Sequence, residues 1–430
     1  MMTADRKPNR RGAIGLLLLL LSLVPASSLA DQVLRVGLHG LPRGLGNPLS
    51  SMSFPDMHTW AAMFDGLTVV DGEARVLPAL AISWESVDEL TWHFKLRRGV
   101  QFSNGEPFDA RAVVATIDYI TSEEAAHLTV SREFLNIDGA RAVDDCTVEI
   151  VTHYPTLILP AMLAGLRIIP PIQWQRLGPE GFARDPAGTG PFKVDTWQPG
   201  KVTLSAFTES WRAPKLDRLE IYENRDPSAR LQGIQSGSLD IGLSLTPDDR
   251  EELERTGDTL YVGPGGGVDG MAFITVKDSP VRYKRERQAL NYAVDKQIIV
   301  DALLRGHTRV AGQPAPRYVH GHNPEIQSYP YDPQKARTVL AEAGYPKGVD
   351  LIAEVMLSGS TASAAVYSVI TEQLAAVGVR LEVRNVPGSQ LRIKAMTGSF
   401  VGEAFGMRYD FKPTLDALRA IPSHSCIRAV

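Results

Sequence analysis

The stretch from Pro78 to Val114 constrains this chain more than any other. In its middle Trp92, Phe94 and Leu96 alternate with Thr91, His93 and Lys95, the two-residue period of a half-buried strand. Asn104-Gly105 then supplies a turn, because glycine accepts positive φ without steric cost. Asp109 stands at an N-cap, and Val113, Val114, Ile117 and Ile120 follow at helical spacing. The reading is strand, tight turn and capped helix.

The first thirty residues differ in kind. Arg6, Lys7, Arg10 and Arg11 precede the run Leu16 to Leu21, and Ser28-Leu29-Ala30 offers small residues for cleavage. Residues 1–30 read as a secretory signal peptide, with an apolar core shorter than a membrane span. Arg10-Arg11 raises a twin-arginine route, although the flanking residues fit that pattern poorly. Cleavage leaves Asp31 rather than a cysteine at the new terminus, so a free periplasmic protein is expected, not a lipoprotein. Removing this segment takes the net charge from −4 to about −7, which offers no basic face to a nucleic acid. A chain of 430 residues implies two or three domains. Cys146 and Cys426 are expected to remain unpaired.

Further strands are expected at 33–37, 148–152, 202–207, 219–222, 239–243 and 271–276. Helices are expected at 58–64, 110–121, 157–164 and 228–236. A proline-rich tract, Pro170-Pro171, closes the stretch before residue 185. Gly188 to Phe192, GTGPF, lacks the Gly-Lys-Ser/Thr that closes a phosphate loop, so a tight backbone crossing is the better reading. Gly263 to Gly267, GPGGG, cannot be the interior of an element; it is either a surface loop or a joint. Asp295 should cap a helix through Ile298, Ile299, Ala302 and Leu303, stopped by Gly306. Asp332 should cap another, with Pro333 at its first position and Gly344 at its end. The strand 349–357, helix 362–377 and strand 379–386 form a right-handed βαβ unit.

Enzyme motifs are missing: there is no G-x-S-x-G, H-E-x-x-H, C-x-x-C or Walker loop. His320-Gly321-His322 lies in a Pro/Gly loop without a third ligand nearby, which favours a solvated loop over a metal site. No cofactor is expected.

The wording S-W-E-x-x-x-x-L-T-W-x-F-x-L-R-x-G-V-x-F-x-N-G-E-P-F-x-A, Ser83 to Ala110, resembles the extracytoplasmic solute-binding proteins of ABC importers, family 5, the dipeptide, oligopeptide and nickel branch. Two further stretches resemble it: R-x-A-x-x-x-A-x-D-x-x-x-I from Arg287 to Ile299, and Tyr331 to Gly348. The resemblance implies a two-lobed α/β periplasmic-binding-protein fold, type II-like, with an additional middle domain. Residues 31–69 and 186–265 would form lobe I, 70–185 the middle domain and 266–430 lobe II, with GPGGG as the interlobe crossing. It implies a monomer that performs no reaction. Such a protein captures a small-molecule ligand for an ABC permease and ATPase complex in the inner membrane. A secreted enzyme or a ligand-presenting sensory protein on the same fold is the alternative of another class.

The site is carried over residue by residue. Peptide-binding relatives have G-W-x-x-D, whose aspartate accepts a ligand ammonium; Gly406 and Asp410 fit, with Met407 in place of tryptophan. The nickel branch has W-x-x-x-Y-D, matched by Phe405, Tyr409 and Asp410, and V-P-S-H, matched by Ile421 to His424. Met57 falls where that branch sets a methionine over its ligand, and Arg167 near an arginine that faces ligand carboxylates. The implied roles are Asp410 for an ammonium and Arg167 for a carboxylate. Met57, Phe405, Met407 and Tyr409 would wall the cleft, and His424 would touch metal through a chelate. A short peptide or peptide-like zwitterion is the expected ligand, and a nickel chelate the alternative.

Family members generally continue past Val430, so the expectation is a missing C-terminal return segment that leaves a sheet edge and apolar surface uncovered. This chain should therefore melt below a full-length relative and bind a surface-sensitive dye. A cooperative melt at an ordinary temperature without dye binding would contradict this.

Overall fold

The computed structural model describes residues 31–73, 75–262, 267–315, 317, 322–357 and 361–410. The chain opens with strand β1 (Val33–Leu38) and a helix, Phe54–Trp60. A hairpin of β2 (Thr68–Val70) and β3 (Val76–Pro78) follows, then β4 (Ala81–Ser86), β5 (Thr91–Leu96), β6 (Ile137–Asp144) and β7 (Thr147–Thr152). These last four form one antiparallel sheet in the order β4-β5-β7-β6. Trp92, Phe94 and Leu96 of β5 are buried, as their alternation requires.

The chain then returns to its starting point. Strands β8 (Phe192–Gln198), β9 (Lys201–Ala206), β10 (Arg218–Glu223) and β11 (Ile241–Gly242) join β1 in a sheet of order β11-β1-β10-β9-β8. β1 pairs in parallel with β10 from Val33↔Arg218 to Leu38↔Glu223, and with β11 on its other side. The first lobe is thus discontinuous in sequence. Its apolar core runs without a break from Leu38, Trp60 and Phe64 into Phe94, Phe102 and Ile117 of the middle segment.

The second lobe has its own core, built on Val281, Leu290, Leu340, Leu351, Val355 and Leu374. Its sheet contains β12 (Gly267–Phe273), β13 (Val349–Val355), β14 (Val379–Asn385) and β15 (Ala404–Asp410), in the order β12-β15-β13-β14. β13 and β14 are parallel and joined by the helix Thr361–Ala376, the βαβ unit expected. The last strand among the described residues therefore sits inside the sheet, antiparallel to β12 and parallel to β13. Glu403 fixes it there: its carboxylate accepts from Ile352 N at 2.8 Å, and its carbonyl from Ile274 N at 2.8 Å. Lys277 Nζ holds the preceding turn by donating to the carbonyls of Phe400, Val401 and Gly402.

The caps form as read. Asp109 accepts from Arg111 N, Asp295 from Gln297 N and Ile298 N, and Asp332 from Lys335 N. Several elements differ in extent. The helix expected at 58–64 begins at Phe54, because Pro55 occupies the first turn, where a missing N–H is harmless. The 157–164 helix shrinks to one turn, Leu159–Met162, and the 239–243 strand to Ile241–Gly242. The 271–276 strand lies earlier, at Gly267–Phe273, where β15 pairs with it. Only Lys296–Ile298 is α-helical after Asp295; Ile299–Leu303 widens into a π turn before Gly306 at φ 71°. Pro171 does not end a segment but starts the helix Pro171–Arg184, which bends where Gly178 takes φ 64°.

That helix explains the Phe102 to Phe108 motif. Glu106 accepts from Ile172 N at 2.9 Å and Gln173 N at 2.8 Å, and Asn104 Nδ2 donates to Gln173 Oε1 at 2.6 Å. The turn caps a helix start nearly seventy residues away in the chain, where backbone N–H groups lack partners and a carboxylate meets the positive dipole end. Glu106→Ala should cost about 1 kcal/mol. A urea titration checks this; a midpoint equal to the parent's would contradict it.

Candidate functional site

The chain leaves the first lobe just after Asp65-Gly66-Leu67 and re-enters it at Gly188, and Asp65 ties the two crossings together. Asp65 is buried. Its Oδ2 accepts from Thr189 Oγ1 at 2.8 Å and Trp211 Nε1 at 2.9 Å, and its Oδ1 from Arg212 Nε at 2.7 Å. Arg212 also donates to the Ala61 carbonyl, and the Arg97 guanidinium lies 4.4 Å over the Trp211 ring.

Arg167 belongs to the same cluster but not to its hydrogen bonds. Ile168 N donates to the Asp65 carbonyl, which brings Arg167 beside this carboxylate. Its Nε is shut off from solvent without a partner. Burial pushes the guanidinium down to about 10; the Asp65 charge opposes that shift and Arg212 reinforces it. One carboxylate faces two guanidinium groups, and three of its about four acceptor sites are taken by Thr189, Trp211 and Arg212. The cluster is one negative charge short. A Cβ at Gly165 would fall 2.9 Å from Met52 Cε, so the stretch leading to Arg167 runs against the loop that leads into the helix bearing Met57.

Ligands of open α/β sheets bind beyond the carboxyl ends of parallel strands. In the first lobe those ends are His39 after β1, Asn224 after β10 and Leu243-Ser244 after β11. Arg230, 1% exposed, locks two of them. Its Nη1 donates to the Asn224 carbonyl at 2.5 Å and the Arg225 carbonyl at 3.2 Å, and its Nη2 to the Ser244 carbonyl at 2.9 Å. Met57 is half-buried on the nearby helix Phe54–Trp60. His58 beside it is pushed down by burial and by the charge of His39. The two imidazoles thus feel each other at this end, and Met57 precedes His58 on the same helix.

In the second lobe the corresponding ends are those of β13, β14 and β15. Asp410, the last residue of β15, pairs in register with Gly267, the last glycine of GPGGG. The C-terminal cluster therefore starts from the end of β12 that follows GPGG. Arg408 Nη1 reaches Asp269 Oδ2 at 3.1 Å. Tyr367, from the covering helix, lies under Gly406, where a Cβ would be 2.6 Å from its hydroxyl oxygen. Burial and the Asp269 charge push that phenol up to about 12, so it is neutral and able to donate.

The expected residues are not all brought together. Asp410 and Tyr409 lie on β15 by backbone register, and Arg167 is half-buried in the first-lobe cluster. Phe405 stacks on Phe400 at 4.1 Å and 9°, and is 3% exposed with Ala272 and Ile274. Its ring is a core ring of the second lobe, and the half-buried Met407 packs on the same cluster. His424, Cys426 and His320 lie outside the described residues, while His322 Nδ1 is 3.0 Å from the Ala315 carbonyl and Cys146 is a free thiol. Among the described residues no group of His, Cys, Asp and Glu could hold a metal ion, and no helix is long and apolar enough to cross a membrane. Asp65, Trp211, Arg212, Arg230 and Tyr367 escaped the sequence reading.

The family model "Bacterial extracellular solute-binding proteins, family 5 Middle" matches residues 75–418. The chain is 31% identical over 339 residues to the glutathione-binding protein GsiB of Escherichia coli O1:K1, covering 76% of this chain and 65% of that one. It thus spans about 65% of the length of the curated relatives it matches. Among solved structures, the substrate-binding protein CtaP of Listeria monocytogenes superposes with a TM-score of 0.79 at 22% identity, over 90% of this chain and 81% of that one. NikZ of Campylobacter jejuni, in complex with Ni(L-His), gives 0.75 at 23% identity, over 90% and 79%. These likenesses establish the two-lobed fold.

GTGPF is a crossing rather than a phosphate cradle. Gly190 N donates to the Met63 carbonyl and Phe192 N to that of Ala62. A Cβ on Gly190 would lie 2.7 Å from the Met63 oxygen and 2.8 Å from that of Ala62. Gly190→Ala should therefore destabilise the first lobe by about 2 kcal/mol or more. Thermal denaturation checks this, and an unchanged melt would count against the crossing.

Proposed function

Since the chain belongs to the family 5 bacterial extracellular solute-binding proteins, we propose that it captures a small carboxylate-bearing solute between its two lobes and delivers it to an ABC permease. It does so outside the cytoplasmic membrane and without catalysing a reaction. The solute is a short peptide or a peptide-like zwitterion. The observation that carries this reading is Arg167, a half-buried cation whose Nε is shut off from solvent and unused, beside a carboxylate already hydrogen-bonded to Thr189, Trp211 and Arg212. A ligand carboxylate would supply the missing negative charge, and the planar fork of arginine suits it. Asp410, at the crossing end of β15, would take the ligand's ammonium, with Met57, Met407 and Tyr409 along the walls. Phe405 supports that wall from beneath through its stack on Phe400. The similarity to a glutathione-binding protein favours a peptide carrying more than one carboxylate.

A nickel chelate is the second reading. The nearness of His39 and His58, with Met57 on the same helix as His58, favours it, since imidazole and thioether suit such a metal. So does the likeness to a protein solved with Ni(L-His). Titration calorimetry with reduced glutathione, mixed dipeptides and Ni(L-His) separates the two readings.

Burying Arg167 without a partner has a consequence for stability. Its folded-state value lies below that of the unfolded chain, so between about 10 and the ordinary arginine value the unfolded state holds more protons. Stability should rise with pH through that window and be held down below it. At neutral pH the charge therefore weighs against the empty protein. Arg167→Met should raise the melting temperature of the ligand-free protein while weakening binding by about 30-fold or more. A variant that melts lower and binds as tightly as the parent would overturn the assignment.

A further inference from the structure

We infer that the loop after β11 and the turn after Ile299–Leu303 form a reversible latch between the lobes, closed by the ion pair Asp248–Arg305. Arg305 Nη2 of the second lobe lies 2.9 Å from Asp248 Oδ1 of the first. Both partners are held in place by their own lobe. Asp248 sits in the short turn Pro247–Asp249, where Asp249 Oδ2 accepts from Thr246 N at 2.7 Å and Thr246 Oγ1 at 2.8 Å. With Asp249 turned inward, Asp248 is left to reach across. The loop's root is the Ser244 carbonyl, gripped by the buried Arg230, and Ser244 itself takes φ 56°.

The other side is equally constrained. Arg305 and Gly306 are consecutive left-handed residues, at φ 49° and 71°. A non-glycine residue in that region is uncommon and must be over-determined by its surroundings. Here Gly306 N donates to the Val300 carbonyl and His307 N to that of Leu304, which closes the turn and aims Arg305 outward. Side chains projected from two rigid platforms lose little freedom when they meet.

The exposure of the pair decides what it can do. The side chains are 51% and 70% exposed, so water and salt screen the attraction. A buried pair would lock the lobes together. This one shifts the balance between joined and parted lobes by about two- to five-fold, enough to bias closure while a bound solute decides it. The latch acts whichever solute occupies the cleft.

Spin labels on Glu209→Cys in the first lobe and Lys347→Cys in the second, in a Cys146→Ser, Cys426→Ser background, report the interlobe distance by electron–electron resonance. In the ligand-free protein, Asp248→Asn and Arg305→Gln should each lower the ratio of near to far populations by about two- to five-fold. The reversed pair Asp248→Arg with Arg305→Asp should restore it. Raising salt from 20 mM to 500 mM should lower the ratio in the parent and leave Asp248→Asn unmoved. Circular dichroism melts of the single variants should match the parent, since neither residue lies in a core. Unaltered distances in both single variants, a loss that the reversed pair does not recover, or a parent insensitive to salt would overturn the latch.

Discussion

The Asp65 carboxylate is the interaction on which the first lobe depends. A lobe assembled from two separated pieces of chain needs its crossings pinned, because nothing in either piece alone defines how they meet. Asp65 does this by accepting from Thr189, Trp211 and Arg212, which come from the second piece. Around it the backbones approach without side chains between them: Gly190 and Phe192 donate to Met63 and Ala62, and Ser103 N to the Gly188 carbonyl. The middle segment shares the lobe's apolar core as a result. The two share one core, and the second lobe has a separate one.

Local features were legible in the sequence, and features settled by distant partners were not. Asp109, Asp295 and Asp332 cap as read because an N-cap needs only the two or three residues after it. The alternation of Trp92, Phe94 and Leu96 is likewise a local record of burial. By contrast, Gly267–Phe273 is a strand only because β15 pairs with it, some 130 residues later in the chain, and no period in GVDGMAF announces this. The Asn104 and Glu106 motif was legible as a turn but not as the cap of a helix starting at Pro171. In the candidate site, Asp410 and Arg167 came from resemblance; the backbone sets Asp410 on β15, and Arg167 lies beside Asp65. Phe405 reads as an aromatic wall, yet its stack on Phe400 depends on a loop closed by Lys277.

Two bodies with separate cores make closure inexpensive in internal contacts. Neither core has to open when the lobes move, so the balance between open and closed is set by what lies between them. A solute shifts that balance only by the difference in its affinity for the two arrangements. A weak, solvated ion pair made only when the lobes are joined supplies a small part of such a difference, because water and salt screen its attraction. A carboxylate drawn against Arg167 supplies much more. Its attraction to a guanidinium already stripped of water at Nε strengthens as the cleft excludes solvent. In the proposed binding mode the unpaired charge is a defect of the empty protein and the source of its grip on a ligand, a role that a well-satisfied cluster such as Asp65 with Arg212 could not fill.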